Sequence, residues 1–218
     1  MFTNTDNFTI INETSEDKPV RVIAGSARRM VLTPPKGQRT RPTADRIKEN
    51  LFNIISPYVQ GARFLDLFCG SGAIGIEALS RGADKSVFVD ISPEAVRATK
   101  ANLERTRLLA RGEVLRMCCL GAVSLLTRDG REFDIVYLDP PYGQGLLEQA
   151  LSALGKSSIL SPKSIIIAEG DKDEKPPAEP LMLQDVREYG STKLMIYTSK
   201  SPLTKSSTDT NAQFMETI

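Results

Sequence analysis

The sequence has 218 residues, of which 40% are hydrophobic and 25% are charged, as is usual for a globular protein with one sizeable core. It contains no histidine, which excludes the commonest general base and every Ser–His or Cys–His nucleophile. Its three cysteines, Cys69, Cys118 and Cys119, form no CxxC pair, so we expect neither a metal site nor a disulfide framework. Any chemistry must therefore use carboxylates, backbone groups or a cofactor.

The sequence shows no sign of a membrane or export segment. No apolar run approaches the roughly 20 residues of a membrane span. The first 17 residues are acidic and polar, unlike a signal or organelle-targeting peptide. We therefore expect a soluble cytoplasmic protein with no membrane partner, and disordered ends at residues 1–17 and 199–218.

Positive charge is concentrated near the N-terminus. Residues 18–48 contain nine Lys or Arg side chains and one acidic residue, Asp45. Such a basic block can face the phosphates of a nucleic acid, and the alternative is a solvated surface without a partner. The candidate RNA contacts are Arg28, Arg29, Arg39, Arg41 and Arg46. Arg41 and Arg46 could instead clamp the carboxylate of a cofactor.

The apolar pattern predicts an N-terminal extension followed by alternating strands and helices. Short strands at 20–23 and 30–32 suggest a hairpin around Ala24-Gly25-Ser26, and a helix is predicted from Thr43 to a stop at Pro57. Further strands are predicted at 64–67, 87–89, 114–117, 135–138, 165–167, 181–186 and 194–197, and helices at 73–80, 93–106, 122–126 and 146–154.

This order predicts an α/β, Rossmann-like fold. Strand–helix alternation is typical of a doubly wound, mainly parallel sheet. The last two strands are joined by a turn at 189–192, which is too short for a parallel crossover, so they must be antiparallel. We expect a mainly parallel seven-stranded sheet that ends in an antiparallel hairpin. The hairpin and helix at 18–58 should pack on this domain, 59–198, and face RNA.

A glycine-rich loop leaves the first strand of the sheet. The run Asp66-Leu-Phe-Cys-Gly70-Ser-Gly72-Ala-Ile-Gly75 would sit at the carboxyl ends of the strands, where ligands bind in such sheets. Asp90 ends the next strand, where a carboxylate can accept the ribose hydroxyls of an adenosine. The alternative is a structural turn without a ligand, and NAD and S-adenosylmethionine share the adenosine. The candidate cofactor residues are Asp66, Phe68, Gly70, Gly72, Gly75, Asp90 and Ile91.

The tetrapeptide Asp139-Pro140-Pro141-Tyr142 follows the apolar strand 135–138 and is the most informative motif. Two prolines hold the backbone extended and donate no hydrogen bond, so the Pro140 carbonyl can point into a pocket. That carbonyl and the Asp139 carboxylate could hold the two N–H groups of an exocyclic amine and direct its lone pair toward an electrophilic methyl group. Tyr142 would stack on the base. The alternative is a Pro-rich strand exit with an ordinary exposed Asp and Tyr.

Together with Arg41-Pro-Thr-Ala-Asp-Arg-Ile-Lys-Glu-Asn-Leu-Phe-Asn53, these motifs resemble the bacterial 16S ribosomal RNA guanine-N2 methyltransferases, over residues 20–197. The resemblance implies a class I S-adenosylmethionine-dependent methyltransferase that methylates N2 of one guanine in small-subunit ribosomal RNA. It implies that Asp139, Pro140 and Tyr142 are catalytic and that Asp139 also borders the cofactor. The expected partner is the RNA or the assembled particle, and the protein is expected to be a monomer.

The sequence departs from the family pattern at two places. Gly121 stands where an acidic or amide residue commonly holds the adenine amine, so other groups must recognise the adenine. The hairpin carries Arg28-Arg-Met-Val-Leu32 in place of a run like Arg-Gly-Arg-Lys-Leu.

Several other functions remain open from the residues. An adenine-N6 methyltransferase acting on DNA or RNA could use the same tetrapeptide. A protein-glutamine methyltransferase has Asn in place of Asp139. A non-catalytic ribosome-assembly factor could hold RNA with the same fold, and an NAD oxidoreductase would need a hydride-positioning group that the sequence does not suggest.

Overall fold

The computed structural model describes residues 19–36, 43–174 and 181–199. Arg39, Arg41 and the two ends for which disorder was predicted, apart from Ser199, lie outside the described residues. The helices are Thr43–Val59 (α1), Ala73–Ser80 (α2), Pro93–Arg105 (α3), Cys119–Arg128 (α4) and Leu146–Lys156 (α5). The strands are Arg63–Leu67 (β1), Lys85–Asp90 (β2), Gly112–Arg116 (β3), Phe133–Leu138 (β4), Leu160–Asp171 (β5), Met182–Tyr189 (β6) and Thr192–Thr198 (β7).

The seven strands form one sheet in the order β3-β2-β1-β4-β5-β7-β6. The first five strands of this order are parallel, and β7 runs antiparallel to both β5 and β6. The predicted fold class, with its closing antiparallel hairpin, is confirmed. Because β1 lies between β2 and β4, the strand order reverses there, and the carboxyl ends of these three strands border one crevice.

Alternate residues of the central strands face two apolar layers. On one side Phe64, Ile135 and Tyr137 pack with α1, α2, α3 and the N-terminal segment. On the other side Leu65 and Val136 pack with α4 and α5. Strands that are buried on both faces read as continuous apolar runs, which is why the sequence pattern located them.

Two of the predicted elements differ in length from the structure for identifiable reasons. Pro57 lies inside α1 and does not end it. Pro57 has no N–H to donate to the Asn53 carbonyl. The Ser56 hydroxyl donates to that carbonyl instead, at 3.5 Å. Burial of Val59 then favours the last turn. Strand β5 is much longer than 165–167 because its two ends pair with different neighbours, β4 and β7.

The predicted N-terminal hairpin is present: three backbone hydrogen bonds join residues 20–22 to residues 29–32, and one antiparallel bridge links Arg21 and Val31. Within residues 19–36 its two arms are too irregular to form the predicted strands. The turn between them also hydrogen-bonds to α2: Ser26 N–H donates to the Ser80 carbonyl, and Ala27 N–H donates to Ser80 Oγ. Gly25 permits this contact, since a Cβ there would lie 1.9 Å from the Ser80 oxygen.

A buried carboxylate on α2 binds the same segment. Both oxygens of Glu77 accept backbone N–H groups, from Ile23 at 2.7 Å and from Ala24 at 2.9 Å. Glu77 also pairs with Arg81 at 2.7 Å and with Lys48 of α1 at 3.8 Å, and the side chains of Glu77 and Lys48 are almost fully buried. Because charge in an apolar interior must be paired, this cluster fixes the segment and α1 against α2.

We expect Glu77→Gln to lower the free energy of unfolding by about 3–5 kcal/mol, because it removes the buried negative charge that pairs with Lys48 and Arg81. Urea unfolding followed by circular dichroism measures the change. The matched control is Glu113→Gln, which breaks a solvent-exposed pair with Arg131 and should cost at most about 1 kcal/mol. Equal losses in the two variants would contradict a special role for Glu77.

Candidate active site

The carboxyl ends of β1, β2 and β4 bring three predicted aspartates to one edge of the sheet. Asp66 lies in β1, Asp90 ends β2, and Asp139 directly follows β4. The sequence predicted these residues separately, and the parallel pairing of β1 with both neighbours places them around the same crevice.

The glycine loop turns through an unusual backbone. Phe68, Gly70 and Gly72 all have positive φ, of 68°, 55° and 75°. A phenylalanine in this region is strained, and such strain is concentrated at functional sites. A Cβ at Gly70 would meet nothing within 4 Å, so this part of the loop borders open space.

Gly72 and Gly75 are required by packing inside the fold. A Cβ at Gly72 would lie 2.8 Å from Thr99 of α3, and one at Gly75 would lie 2.3 Å from the ring of Phe88 in β2. Gly75 is also buried. These two glycines allow the helices to approach the loop and the sheet, whereas Gly70 leaves room for a ligand.

Asp90 holds the loop and the start of α3 together. Its Oδ2 accepts the Gly70 N–H and its Oδ1 accepts the Ser92 N–H, each at 2.9 Å. Each carboxylate oxygen can accept two hydrogen bonds, so both keep capacity for a ribose hydroxyl. The next residue, Ile91, is 69% exposed, which leaves an apolar side chain available beside the carboxylate. These features fit the adenosine of S-adenosylmethionine.

Asp66 is a buried carboxyl beneath the loop. Its Oδ2 accepts the Gly75 N–H at 2.9 Å, which ties the loop to the first turn of α2. Burial raises the pKa of Asp66 from 3.8 to about 7, against the lowering effect of the Gly75 hydrogen bond, and the charge of Asp90 raises it further.

Two polar side chains of α3, which the sequence analysis missed, hold the carbonyls of the loop. Thr99 Oγ1 donates to the Gly70 carbonyl at 3.0 Å, and Asn102 Nδ2 donates to the Ser71 carbonyl at 2.9 Å. Asn102 also donates to the Thr33 carbonyl and accepts the Thr33 N–H, so it joins the loop to the N-terminal segment. Their i, i+3 spacing was a signal in the sequence, but only the fold shows what they face.

The tetrapeptide leaves β4 at the mouth of the crevice. Asp139 is exposed and Pro140 is buried. Tyr142 is 37% exposed and lines a cleft of about 420 Å³ with Gly143 and residues 171, 173 and 174. Part of the Tyr142 side chain is therefore accessible at this cleft.

A buried pair lies beside the tetrapeptide and was also missed. The Tyr137 hydroxyl donates to Glu169 Oε2 at 2.5 Å, between β4 and β5. The pKa of Tyr137 is raised well above its usual value by burial and then by the charges of Glu169 and Asp139. A glutamate directly after the apolar run of β5 was the sequence signal for this pair.

The basic residues between positions 18 and 48 do not all lie at the surface. Arg28, Arg29 and Arg46 are exposed, as phosphate contacts require, whereas Lys48 is buried on Glu77 and belongs to the fold. None of the helices in the described part of the chain has the length and apolar character to cross a membrane.

The pKa of Asp66 predicts how stability depends on pH. Between about pH 4 and pH 7 the folded protein keeps a proton on Asp66 that the unfolded chain has released. The free energy of unfolding should therefore fall as the pH rises through this window, by at most about 1.4 kcal/mol per pH unit from this group. Asp66→Asn keeps an acceptor oxygen for Gly75 and should remove this component.

Urea unfolding at several pH values in this window measures the slope. The control is Asp134→Asn: Arg63 lowers the pKa of Asp134 below 3.8, so its contribution is lost only at more acid pH. If Asp66→Asn left the slope as it is in the unmodified protein, Asp66 would be ionised throughout the window.

The chain was compared with known proteins. A family model described as conserved hypothetical protein 95 matches residues 20–198. The ribosomal RNA small subunit methyltransferase D of Haemophilus influenzae is 38% identical over 71% of this chain and 80% of its own length, and the Escherichia coli K12 protein of the same name is 34% identical over 74% and 79%. The solved structure of Escherichia coli yhhF superposes with a TM-score of 0.73 at 31% identity, covering 84% of this chain and 99% of that one.

These matches confirm the family resemblance that the motifs predicted. The chain belongs to the family described as conserved hypothetical protein 95 and, by its identity to them, to the family of the ribosomal RNA small subunit methyltransferases D.

Proposed function

We propose that this protein transfers a methyl group from S-adenosylmethionine to the exocyclic N2 amine of a guanine in small-subunit ribosomal RNA. The observation that carries the proposal is the position of Asp139-Pro140-Pro141-Tyr142, at the end of β4 and next to the crevice bordered by the glycine loop. Membership of a ribosomal RNA methyltransferase family supports the same reaction.

The loop and the end of β2 would hold the cofactor, which supplies an electrophilic methyl group when bound. Gly70 and Phe68 would border it, Asp90 would accept hydrogen bonds from the ribose hydroxyls, and Ile91 would cover the adenine. Asp66 would support this site from below through Gly75. Gly72 and Gly75 would shape the loop rather than touch the ligand, as their packing suggests.

The tetrapeptide would orient the amine. The lone pair of an exocyclic amine is delocalised into the base, so the amine is a poor nucleophile until its nitrogen becomes tetrahedral. The Asp139 carboxylate and the Pro140 carbonyl would accept its two N–H groups and stabilise the positive charge that develops as the new N–C bond forms. Tyr142 would stack on the base after it has left its helix.

No strong base is needed for this reaction. The nitrogen becomes cationic as it gains the methyl group, and it then releases a proton readily to Asp139 or to water. A chain without histidine can therefore catalyse it.

The exposed arginines would bind the RNA backbone. Arg28, Arg29 and Arg46 are accessible to phosphates, and Arg39 and Arg41 are further candidate contacts from the sequence. We propose that the protein acts as a monomer in the cytoplasm, on the RNA or on the assembled small-subunit particle.

The proposed reaction is tested by incubating the protein and methyl-labelled S-adenosylmethionine with small subunits from cells that lack its gene. N2-methylguanine should carry the label, whereas N6-methyladenine would point to the rival reaction and an unlabelled particle to a non-catalytic role. Asp139→Ala should lower the single-turnover rate by about 10²–10³, because one transition-state contact is lost. Asp139→Asn keeps an acceptor oxygen and should retain part of the activity.

Substitution of Tyr142 tests the stacking role in the same assay. Tyr142→Phe keeps the ring and should be mild, whereas Tyr142→Ala should lose about 1–3 kcal/mol of base stacking. Equal losses in the two variants would assign the effect to the hydroxyl and refute stacking.

Calorimetry with S-adenosylhomocysteine tests the cofactor site. Asp90→Ala should weaken binding by about 1–3 kcal/mol, since charge-assisted hydrogen bonds are lost. Asp84→Ala, at the exposed opposite end of β2, is the control and should bind as the unmodified protein does. Tight binding of NAD with no response to S-adenosylhomocysteine would refute the assignment.

A further inference from the structure

Glu169 lies beside the catalytic aspartate on the neighbouring strand. Strands β4 and β5 are parallel, with Leu138 opposite Ala168, so the next pair along the two chains is Asp139 and Glu169. Alternation along β5 places Glu169 on the same face as Ile167, and that face also carries Tyr137. Both carboxylates therefore lie on one face at the carboxyl edge of the sheet, where the base would enter.

The side chain of Glu169 is held in one position. It is only 9% exposed, and its Oε2 accepts the Tyr137 hydroxyl at 2.5 Å. Burial, and then the charges of Glu169, Asp139 and Asp66, raise the pKa of Tyr137, as expected for a hydroxyl near these carboxylates. A carboxylate can accept about four hydrogen bonds, so the bond from Tyr137 orients Glu169 and is compatible with further donors.

The edge of guanine that carries N2 differs from the corresponding edge of adenine. Guanine presents the N1–H donor directly next to its N2 amine. Adenine presents an N1 acceptor next to its N6 amine. Ionised carboxylates only accept hydrogen bonds, so two adjacent carboxylates match guanine and oppose the N1 lone pair of adenine.

We propose that Glu169 determines the specificity for guanine by accepting a hydrogen bond from N1–H while Asp139 holds the N2 amine, and that Tyr137 is the positioning residue for Glu169. This inference rests on the proposed function and adds how the base is selected. A site that hydrogen-bonds a substrate N–H rejects an analogue without it strongly, because its own buried polar group is then left unpaired.

The test compares guanine with 2-aminopurine, which keeps the N2 amine but has an acceptor at N1. Small-subunit particles are reconstituted with either base at the nucleotide that the labelling experiment identifies, and single-turnover rates are measured. We expect the unmodified protein to prefer guanine by on the order of 10²-fold or more. Equal rates on the two bases would overturn the inference without any variant being needed.

Variants then assign the preference to Glu169. Glu169→Gln should lower the rate on guanine and reduce the preference at least about tenfold, because an amide can donate to the N1 acceptor of 2-aminopurine. Tyr137→Phe should reduce the preference less, since it only frees Glu169 to move. Glu188→Gln, on the exposed edge strand β6, is the matched control and should leave both rates unchanged.

A merely structural role for Glu169 would lower both rates equally and leave their ratio unchanged, which would overturn the inference. If Glu169→Gln does not fold, Glu169→Asp keeps the charge and should keep the preference while slowing the reaction. Failure of the proposed function looks different, because the unmodified protein would then label no guanine in the particles.

Discussion

The buried carboxylate of Glu77 is the interaction on which the arrangement of this molecule depends. It binds two backbone N–H groups of the N-terminal segment and pairs with Lys48 of α1 and with Arg81 of its own helix. A charge in an apolar interior is stable only when all these partners are in place. The segment, α1 and the helix that follows the glycine loop are therefore fixed relative to one another.

Helix α3 continues this connection to the cofactor loop. Thr99 and Asn102 hold the carbonyls of Gly70 and Ser71, and Asn102 binds Thr33 of the N-terminal segment with both of its polar atoms. The exposed arginines at positions 28 and 29 belong to the same segment. The buried side-chain amide of Asn102 therefore connects the segment proposed to bind RNA with the loop proposed to bind the cofactor.

The chemistry of the site follows from orientation. The sequence has no histidine, and a reaction in which the nitrogen loses its proton after it becomes cationic does not require one. In the proposed mechanism acceptors hold the amine in place, and at the end of β4 these would be the Asp139 carboxylate and the Pro140 carbonyl. The Tyr137–Glu169 pair adds a second fixed carboxylate from the neighbouring strand.

The sequence by itself determined the strand–helix alternation, the closing antiparallel hairpin, the glycine loop and the tetrapeptide. Each of these features is a local pattern of contiguous residues with a characteristic period or spacing. It located α2 to the residue and predicted the three aspartates of the crevice. Only the tertiary structure decided that Glu77, Asn102 and Glu169 are the groups that hold these parts, since their partners other than Arg81 lie 29 to 69 residues away in the chain. It also decided the extension of α1 past Pro57 and the attachment of the N-terminal hairpin to α2, because burial and side-chain hydrogen bonds there act beyond local propensity.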